Sequence, residues 1–314
     1  MKTTQCNKKI YPQRGLSLVE LLIAMVIGLF LMGGLITNFV STKGSDKTRK
    51  ITSEMDASAQ TALNTLRQAI THAAYPSISN IALDKAFVTK DDFPPGSSNE
   101  TKIENPNCSD GVARDITRPK YKHRTRDGGG SRGTGIRDFL TIVSLADNPL
   151  DPDALVYYDC TGGGMTRNAH DVACSTDNMP NKRDAKVFST FRVNNVGTPA
   201  VPTLYCDGSR GGTQRIADNV YAIQYLYGVK QDTGTTIYKE ANKVEDDDQW
   251  ELVNSVQIAL LMRSEEKNAT TKTSKASYKL LNRSVYIPPS HRHRIYRIYT
   301  TTVNLENMNK APLL

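Results

Sequence analysis

The sequence predicts an α+β fold in which a long N-terminal helix packs on an antiparallel β-sheet head. Three observations lead to this prediction. Residues 16–40 form an apolar run whose only charged side chain is Glu20. Residues 51–70 then place apolar side chains at steps of three and four, which is the helical period. From residue 139 onwards, segments rich in β-branched and aromatic residues alternate with turn residues, a pattern typical of antiparallel strands.

The apolar run is long enough to cross a membrane. As a helix, residues 16–40 would extend about 37 Å, against a hydrocarbon core of about 30 Å. The residues before the run include basic but no acidic side chains, the basic ones being Lys2, Lys8, Lys9 and Arg14. The positive-inside rule therefore predicts a cytoplasmic N-terminus and an exported remainder. A secretory signal would have a shorter apolar region with a small-residue cleavage site after it, and no such site follows residue 40.

Glu20 is the unusual residue of this helix. A carboxylate at that depth costs on the order of 2.5–3.5 kcal/mol on insertion scales, so it needs a partner. If a peptidase cuts after Gly15, the new α-amino group of Leu16 lies about one helical turn from Glu20. In an assembly, the amine of a neighbouring copy could also reach this carboxylate.

The segment from Gly15 to Leu22, which reads GLSLVELL, resembles the type III signal of type IV pilins and type II secretion pseudopilins. In that family a prepilin peptidase cuts after the glycine, the new N-terminus is methylated, and the glutamate is the fifth residue of the mature chain. The resemblance implies cleavage between Gly15 and Leu16 and an assembly role for Glu20. Leu16 departs from the family, which usually has phenylalanine there.

Charge and cysteine content agree with an exported domain. Removing residues 1–15 takes four basic side chains away and lowers the formal charge from +8 to +4, too mild an excess to indicate nucleic-acid binding. Removal of Cys6 leaves an even number of cysteines, which predicts two disulfides in an oxidising compartment. These are Cys108, Cys160, Cys174 and Cys206, and no Cys-x-x-Cys pair suggests zinc.

Composition divides the chain into five regions. In order, we expect a cleaved leader, the transmembrane half of the helix, its amphipathic half, a loop-rich variable region and a β-rich globular head, with bounds 1–15, 16–40, 41–76, 77–138 and 139–314. Pro76 ends the helical pattern. The glycine-rich residues 127–133 lack the Gly-Lys-Ser/Thr ending of a phosphate loop, so we predict a flexible excursion there.

Strand patterns recur through the head. The expected strands are residues 139–145, 155–160, 187–193, 203–206, 220–229, 250–262 and 295–305. Alternation predicts one shared apolar face in the fifth strand, made by Tyr221, Ile223, Tyr225, Tyr227 and Val229. In the sixth strand it predicts an apolar face of Trp250, Leu252, Val256, Ile258, Leu260 and Met262, and a polar face of Glu251, Ser255, Gln257 and Arg263.

The head carries a second resemblance. Residues 216–220 (IADNV), 225–229 (YLYGV) and 260–264 (LLMRS) resemble the C-terminal half of PilW-type minor pilins, as do the segments around Cys160 and Cys206. This resemblance implies a Cys160–Cys206 disulfide, which leaves Cys108 to pair with Cys174. Four cysteines allow three connectivities.

Together the resemblances imply a minor pilin that acts in type IV pilus assembly or initiation, a structural filament subunit and not an enzyme. Its expected partners are prepilin peptidase, other minor pilins, the major pilin and the bacterial inner membrane, with the head in the periplasm. One alternative is a J-type pseudopilin of type II secretion. Another is a pilus-tip adhesin or DNA-uptake pilin, although nothing in the charge favours DNA.

Other patterns of possible chemistry are weak. His291 and His293 supply at most half a zinc site, and a solvated basic edge is expected instead. The acidic residues 246–248 and 147–153 lack the spacing of a calcium loop. No nucleophile elbow or nucleotide fingerprint occurs, so we expect no catalytic residue, metal or cofactor.

Overall fold

The protein is described by a computed structural model that divides into two compact units, Met1–Ile51 and Thr52–Leu314. Helix α1 comprises Leu18–Thr71, so each unit contains part of it. The described residues are 17–75, 83, 85–90, 123–129, 136–145, 155–162, 164–166, 186–198, 200–208, 212–270 and 273–308. The long helix followed by antiparallel sheets confirms the α+β prediction.

The part of α1 in the C-terminal unit buries one face, as its periodicity predicted. The exposed fraction is at most 4% for Met55, Ala59, Ala62, Leu66 and Ile70. At the end of α1, the side-chain amide of Asn307 donates to the carbonyl oxygens of Thr71 (3.2 Å) and Ala73 (3.0 Å). These bonds satisfy carbonyls that the helix itself leaves free.

The strands form two four-stranded antiparallel sheets and two hairpins within the described residues. In chain order they are β1 (Leu140–Leu145), β2 (Leu155–Tyr158), β3 (Gly164–Thr166), β4 (Lys186–Val196), β5 (Val201–Gly208), β6 (Thr213–Asp218), β7 (Val220–Lys230), β8 (Thr236–Lys239), β9 (Val253–Arg263), β10 (Ser277–Lys279), β11 (Ser284–Tyr286) and β12 (Tyr296–Asn304). A short helix α2 (Ala241–Asp246) follows β8. The sheet orders are β1-β4-β5-β6 and β12-β9-β7-β8, and the hairpins are β2-β3 and β10-β11.

One face of the β12-β9-β7-β8 sheet packs against α1. Thr301 and Tyr299 of β12 pair with Ile258 and Leu260 of β9, so these four side chains share a face. On that face Arg67 of α1 donates to Thr301 Oγ1 at 3.1 Å, and the Tyr299 hydroxyl donates to Asp56. The predicted apolar face of β9 therefore lies under the helix.

The opposite face of this sheet, on which the sequence predicts the polar side chains of β9, is also buried. Ser255 is 4% exposed and Arg263 is 6% exposed. The β10-β11 hairpin and the chain after it form a second layer over this face. The core between them comprises Ile136, Tyr221, Ala222, Ala259, Leu261, Leu280, Val285, Ile287 and Tyr296.

Two local irregularities correct the predicted strand faces. A bulge between Val220 and Ala222 shifts the register of β7, so Tyr221 enters the second-layer core instead of facing α1 with Tyr225. Trp250–Leu252 forms a 3₁₀ turn instead of the start of a strand. In that turn the Trp250 indole donates to Glu245 Oε2 at 2.6 Å, while Leu252 is 48% exposed.

The glycine-rich segment is anchored where the structure describes it, so the prediction of a flexible excursion is wrong for residues 127–129. Asp127 accepts hydrogen bonds from the backbone N–H groups of Ala241 (3.0 Å) and Asn242 (2.9 Å) at the start of α2. The Gly128 N–H donates to Asp138 Oδ1 at 2.7 Å. A side chain at Gly128 would collide with the backbone of Arg137, which explains the need for glycine.

Candidate assembly site

The N-terminal part of α1 presents apolar side chains on all sides. Between residues 18 and 40, the large apolar side chains are 48% to 80% exposed. Among the described residues, α1 is the helix whose length and composition suit a membrane span. A helix that is apolar all round is stable when a bilayer or other helices cover it. The composition and exposure of this surface are therefore consistent with cover by a bilayer or by other helices.

Backbone acceptors within the helix satisfy two of the polar side chains of this segment. The Thr37 hydroxyl donates to the Gly33 carbonyl and the Thr42 hydroxyl to the Asn38 carbonyl, each at 2.9 Å. These bonds let both hydroxyls enter an apolar medium without losing a hydrogen bond. No heavy atom lies within 4 Å of a Cβ added at Gly28, so this side of the helix is open to a close neighbour.

Glu20 lies in the first turn of α1 and is exposed. The next charged residue along the chain is Lys43. The Lys43 ammonium group lies 4.6 Å from the centre of the Phe39 ring, and a long lysine side chain can reach out of an apolar layer. Glu20 has a shorter side chain than lysine and lies within the apolar segment. Gly15 and Leu16 lie outside the described residues.

A disulfide fixes the chain after β2 to the middle of β5. It joins Cys160 and Cys206, whose Cα atoms are 6.1 Å apart. The Cys160 N–H donates to Ser189 Oγ of β4 at 3.1 Å, which adds a second link to the same sheet. Cys108 and Cys174 lie outside the described residues, so their pairing stays a prediction.

An ion pair strengthens the sheet beside this disulfide. Asp207, adjacent to Cys206, accepts from both Arg192 Nε (2.5 Å) and Arg192 Nη2 (3.1 Å). Its carboxylate also accepts from the Thr213 hydroxyl at 2.6 Å. Because the Asp207 carboxylate is almost fully buried, these three donors offset its loss of hydration. The cluster is a structural support for β4, β5 and β6.

Among the described residues of the head, Asp138 is a buried acid whose pKa is strongly raised. Its carboxylate accepts from the backbone N–H groups of Gly128 (2.7 Å) and Tyr225 (3.0 Å), and Arg283 Nη1 lies 3.3 Å away. Burial nevertheless raises the pKa of Asp138 to about 7. Asp138 thus joins the 123–129 segment, β7 and the turn before β11. Sequence patterns did not reveal this residue, because its partners are distant in the chain.

The weak metal candidates have structural partners. Asp247 pairs with Lys239 (2.8 Å) and Lys243 (3.1 Å), so its carboxylate is engaged within the head. The His291 ring makes an edge contact with Tyr221, at 6.5 Å between ring centres. Within the described part of the chain, no three potential ligands from His, Cys, Asp and Glu lie together. Residues 147–153 are outside the described part.

Comparisons with known families match both ends of the chain. A model of the prokaryotic N-terminal methylation motif matches residues 11–36, which include Gly15, Leu16 and Glu20. A model described as type IV pilus-assembly protein W matches residues 190–307, from β4 to beyond β12. The chain therefore contains a PilW region and a prokaryotic N-terminal methylation motif.

The PilW region contains Cys206, the sheet that faces α1 and the β10-β11 layer. Among solved structures, the type IV-like pilin TTHA1219 from Thermus thermophilus matches with 10% identity over 59% of this chain and 82% of its own, at a TM-score of 0.29. No curated protein matches. The likeness to PilW-type pilins rests on the two family matches and on the helix that precedes the PilW region.

Proposed function

We propose that this chain is a minor pilin of a type IV pilus, a structural subunit that acts in pilus assembly or initiation. The observation that carries the proposal is the exposed apolar segment of α1 with its one carboxylate, Glu20, inside the matched methylation motif. Such a segment serves a subunit that is stored in a membrane and later surrounded by other helices. A structural role is favoured over catalysis because the matched families are pilin families.

Processing is the first step of this proposal. A prepilin peptidase cuts between Gly15 and Leu16, and the mature chain stays in the inner membrane through the apolar part of α1, with its head in the periplasm. Glu20 then pairs with the N-terminal amine of a neighbouring subunit. In an apolar surrounding the two charges attract strongly, and each removes the desolvation cost of the other. Other minor pilins and the major pilin supply the neighbouring helices.

The experiment is complementation of a deletion strain in the native host, with twitching, surface pili and type II secretion scored together. Wild-type chain should restore pili and twitching. Glu20→Ala removes a costly charge from the membrane, so processing and membrane retention should hold while piliation falls at least tenfold, for a loss of about 1.4 kcal/mol or more. Glu251→Ala, an exposed head carboxylate, is the matched control and should behave as wild type.

Other results of the complementation experiment would favour other functions. Restored secretion without restored pili would identify a J-type pseudopilin instead. Wild-type piliation by Glu20→Ala would show that charge pairing is dispensable in this subunit. Salt-dependent DNA binding by the chain would favour the DNA-uptake alternative.

A further inference from the structure

Beyond the disulfide and the helix face, the head contains a cluster of buried basic groups. Arg263 ends β9 and is 6% exposed, and Arg294 precedes β12 and is 5% exposed. The chain brings them together through the pairing of Arg263 with Tyr296, two residues after Arg294. Arg137, from the segment that pairs with β7, lies within electrostatic range of Arg263.

The hydrogen bonds of these arginines leave a donor of each unused. Arg263 Nη2 donates to the Ala200 carbonyl at 3.0 Å, and Arg294 Nη1 donates to the Ser264 carbonyl at 2.5 Å. The Nε–H groups of Arg137, Arg263 and Arg294 are buried without an acceptor among the described residues. Buried donors without an acceptor are rare in folded proteins because each loses its hydration.

No described carboxylate forms an ion pair with Arg263. Burial lowers the pKa of Arg263 to about 10, and the charge of Arg294 contributes to the decrease. Tyr221 and Tyr296 supply the phenol rings beside it, with ring centres 5.6 Å apart. Arg137 is not in an ion pair with a described residue either. With a pKa near 10, Arg263 stays charged at neutral pH.

The rim of the cluster is basic as well. His291 is partly buried against Tyr221, and its Nδ1 has no hydrogen-bond partner among the described residues. Burial and the neighbouring charges of Arg263, Arg294 and Lys267 lower the pKa of His291. The carboxylate that acts on Arg294 belongs to Glu265, which is exposed to solvent and therefore screened.

We propose that Arg137, Arg263 and Arg294 form a binding site for a small oxyanion, a phosphate or a carboxylate. Guanidinium groups hold such anions through paired N–H donors, and the three unused Nε–H groups supply donors of this kind. A bound anion would also offset the repulsion of the buried Arg263 charge by Arg294 and Arg137. The PilW match does not assign this site, and the proposal is independent of the role in pilus assembly.

The test uses the full chain in a nonionic detergent and follows thermal unfolding by the fluorescence of Trp250. Inorganic phosphate is titrated while chloride keeps the ionic strength constant. A second titration with acetate shows whether the site prefers a carboxylate or a phosphate. The midpoint should change little below the Kd and then rise by about 3–5 °C for each tenfold increase in anion above it. Equilibrium dialysis should show one phosphate or acetate per chain.

Variants distinguish the site from a general salt effect, which phosphate exerts on any protein. Arg263→Gln and Arg294→Gln should lose the anion-dependent rise and the bound ion. Arg292→Gln is the matched control, because Arg292 donates to the Ile287 carbonyl and the Tyr286 hydroxyl and should keep the full response. If either core variant fails to fold, Arg137→Gln replaces it, since Arg137 is only partly buried. An equal rise in all variants, or no bound anion in the wild-type chain, would overturn the proposal.

Discussion

At the scale of single residues, two carboxylates differ in their burial. Glu20 is exposed on an apolar helix, and its role depends on what later surrounds it. Asp138 is 1% exposed and already has its partners within the head. The effect of substituting Glu20 should therefore appear in assembly, whereas the effect of substituting Asp138 should appear in the stability of the head.

Asp138 should make stability fall as the pH rises from about 4 to about 7. Its pKa is about 7 in the fold and 3.8 in the unfolded chain, so the folded state binds an extra proton between these values. The contribution of Asp138 to the free energy of unfolding is fully present below pH 3.8 and is lost as the pH rises to about 7. Between these values the free energy of unfolding falls by up to about 1.4 kcal/mol per pH unit. Chemical denaturation of the wild-type chain and Asp138→Asn across this range measures the difference.

The matched control for this measurement is Asp232→Asn, which removes an exposed carboxylate in the turn between β7 and β8. Parallel pH profiles of the wild-type chain and Asp138→Asn would show that Asp138 does not carry the extra proton. Asp127, whose pKa is also raised by burial, remains in both chains, but its charge contributes to the raised pKa of Asp138, so the difference between the two profiles reports this coupled pair.

At the scale of elements, α1 is held to its sheet by apolar packing more than by charge. Leu66 is fully buried, whereas the ion pair of Arg297 with Asp56 (2.8 Å) is exposed by 48% and 39% at its two side chains. A buried leucine contributes severalfold more to the free energy of unfolding than an exposed ion pair does.

Leu66→Ala should lower the free energy of unfolding by about 2–5 kcal/mol, because it removes buried methyl groups and leaves a cavity. Arg297→Ala should lower it by no more than about 1 kcal/mol, since solvent screens the exposed pair. Denaturant titration of both variants measures which substitution lowers the free energy of unfolding more. A larger loss for Arg297→Ala would show that the salt bridge, and not the apolar face, holds the helix.

The cysteines give a second prediction at this scale. Non-reduced peptide mapping should recover Cys160 linked to Cys206 and Cys108 linked to Cys174. The first bond closes a loop with a sequence separation of 46, for which the chain-entropy model gives roughly 4 kcal/mol. A Cys160–Cys174 peptide would show that the expected connectivity is wrong.

The long strands and the helix were predictable because their patterns are local. Val256, Ile258 and Leu260 alternate as a strand should, and the structure places them under α1. β6 and β8 were missed because they are short and largely polar, so no alternation marks them. Residues of the second layer, such as Val285, bury the other face of β9 from far along the chain, and local periodicity cannot show such a contact.

The candidate sites also differ in whether a local sequence pattern reveals them. Glu20 was evident, since one charge in an apolar run is visible in the sequence itself. Arg263 and Arg294 were not, because Arg263 alternates like a solvent-facing residue and Arg294 lies in a basic segment. Only the pairing of β9 with β12 brings them together, and only the cover of the second layer buries them.

At the scale of the whole molecule, the two units differ in kind. The C-terminal unit has its own core, disulfide and internal ion pairs, as expected of a stable exported domain. In the described part of the N-terminal unit, residues 17–51, the large apolar side chains between residues 18 and 40 are exposed, so the stability of this helix depends on what surrounds it. This contrast is what a subunit needs if it leaves a membrane and joins a filament with its head intact.

The central claim, that this chain is a processed filament subunit, is tested most directly by mass spectrometry of sheared pili and membranes from the native host. We predict that the chain is present in the sheared pili and that its most N-terminal peptide begins at Leu16 in both fractions. A chain that still begins at Met1, that begins beyond residue 40, or that is confined to the membranes would contradict the account.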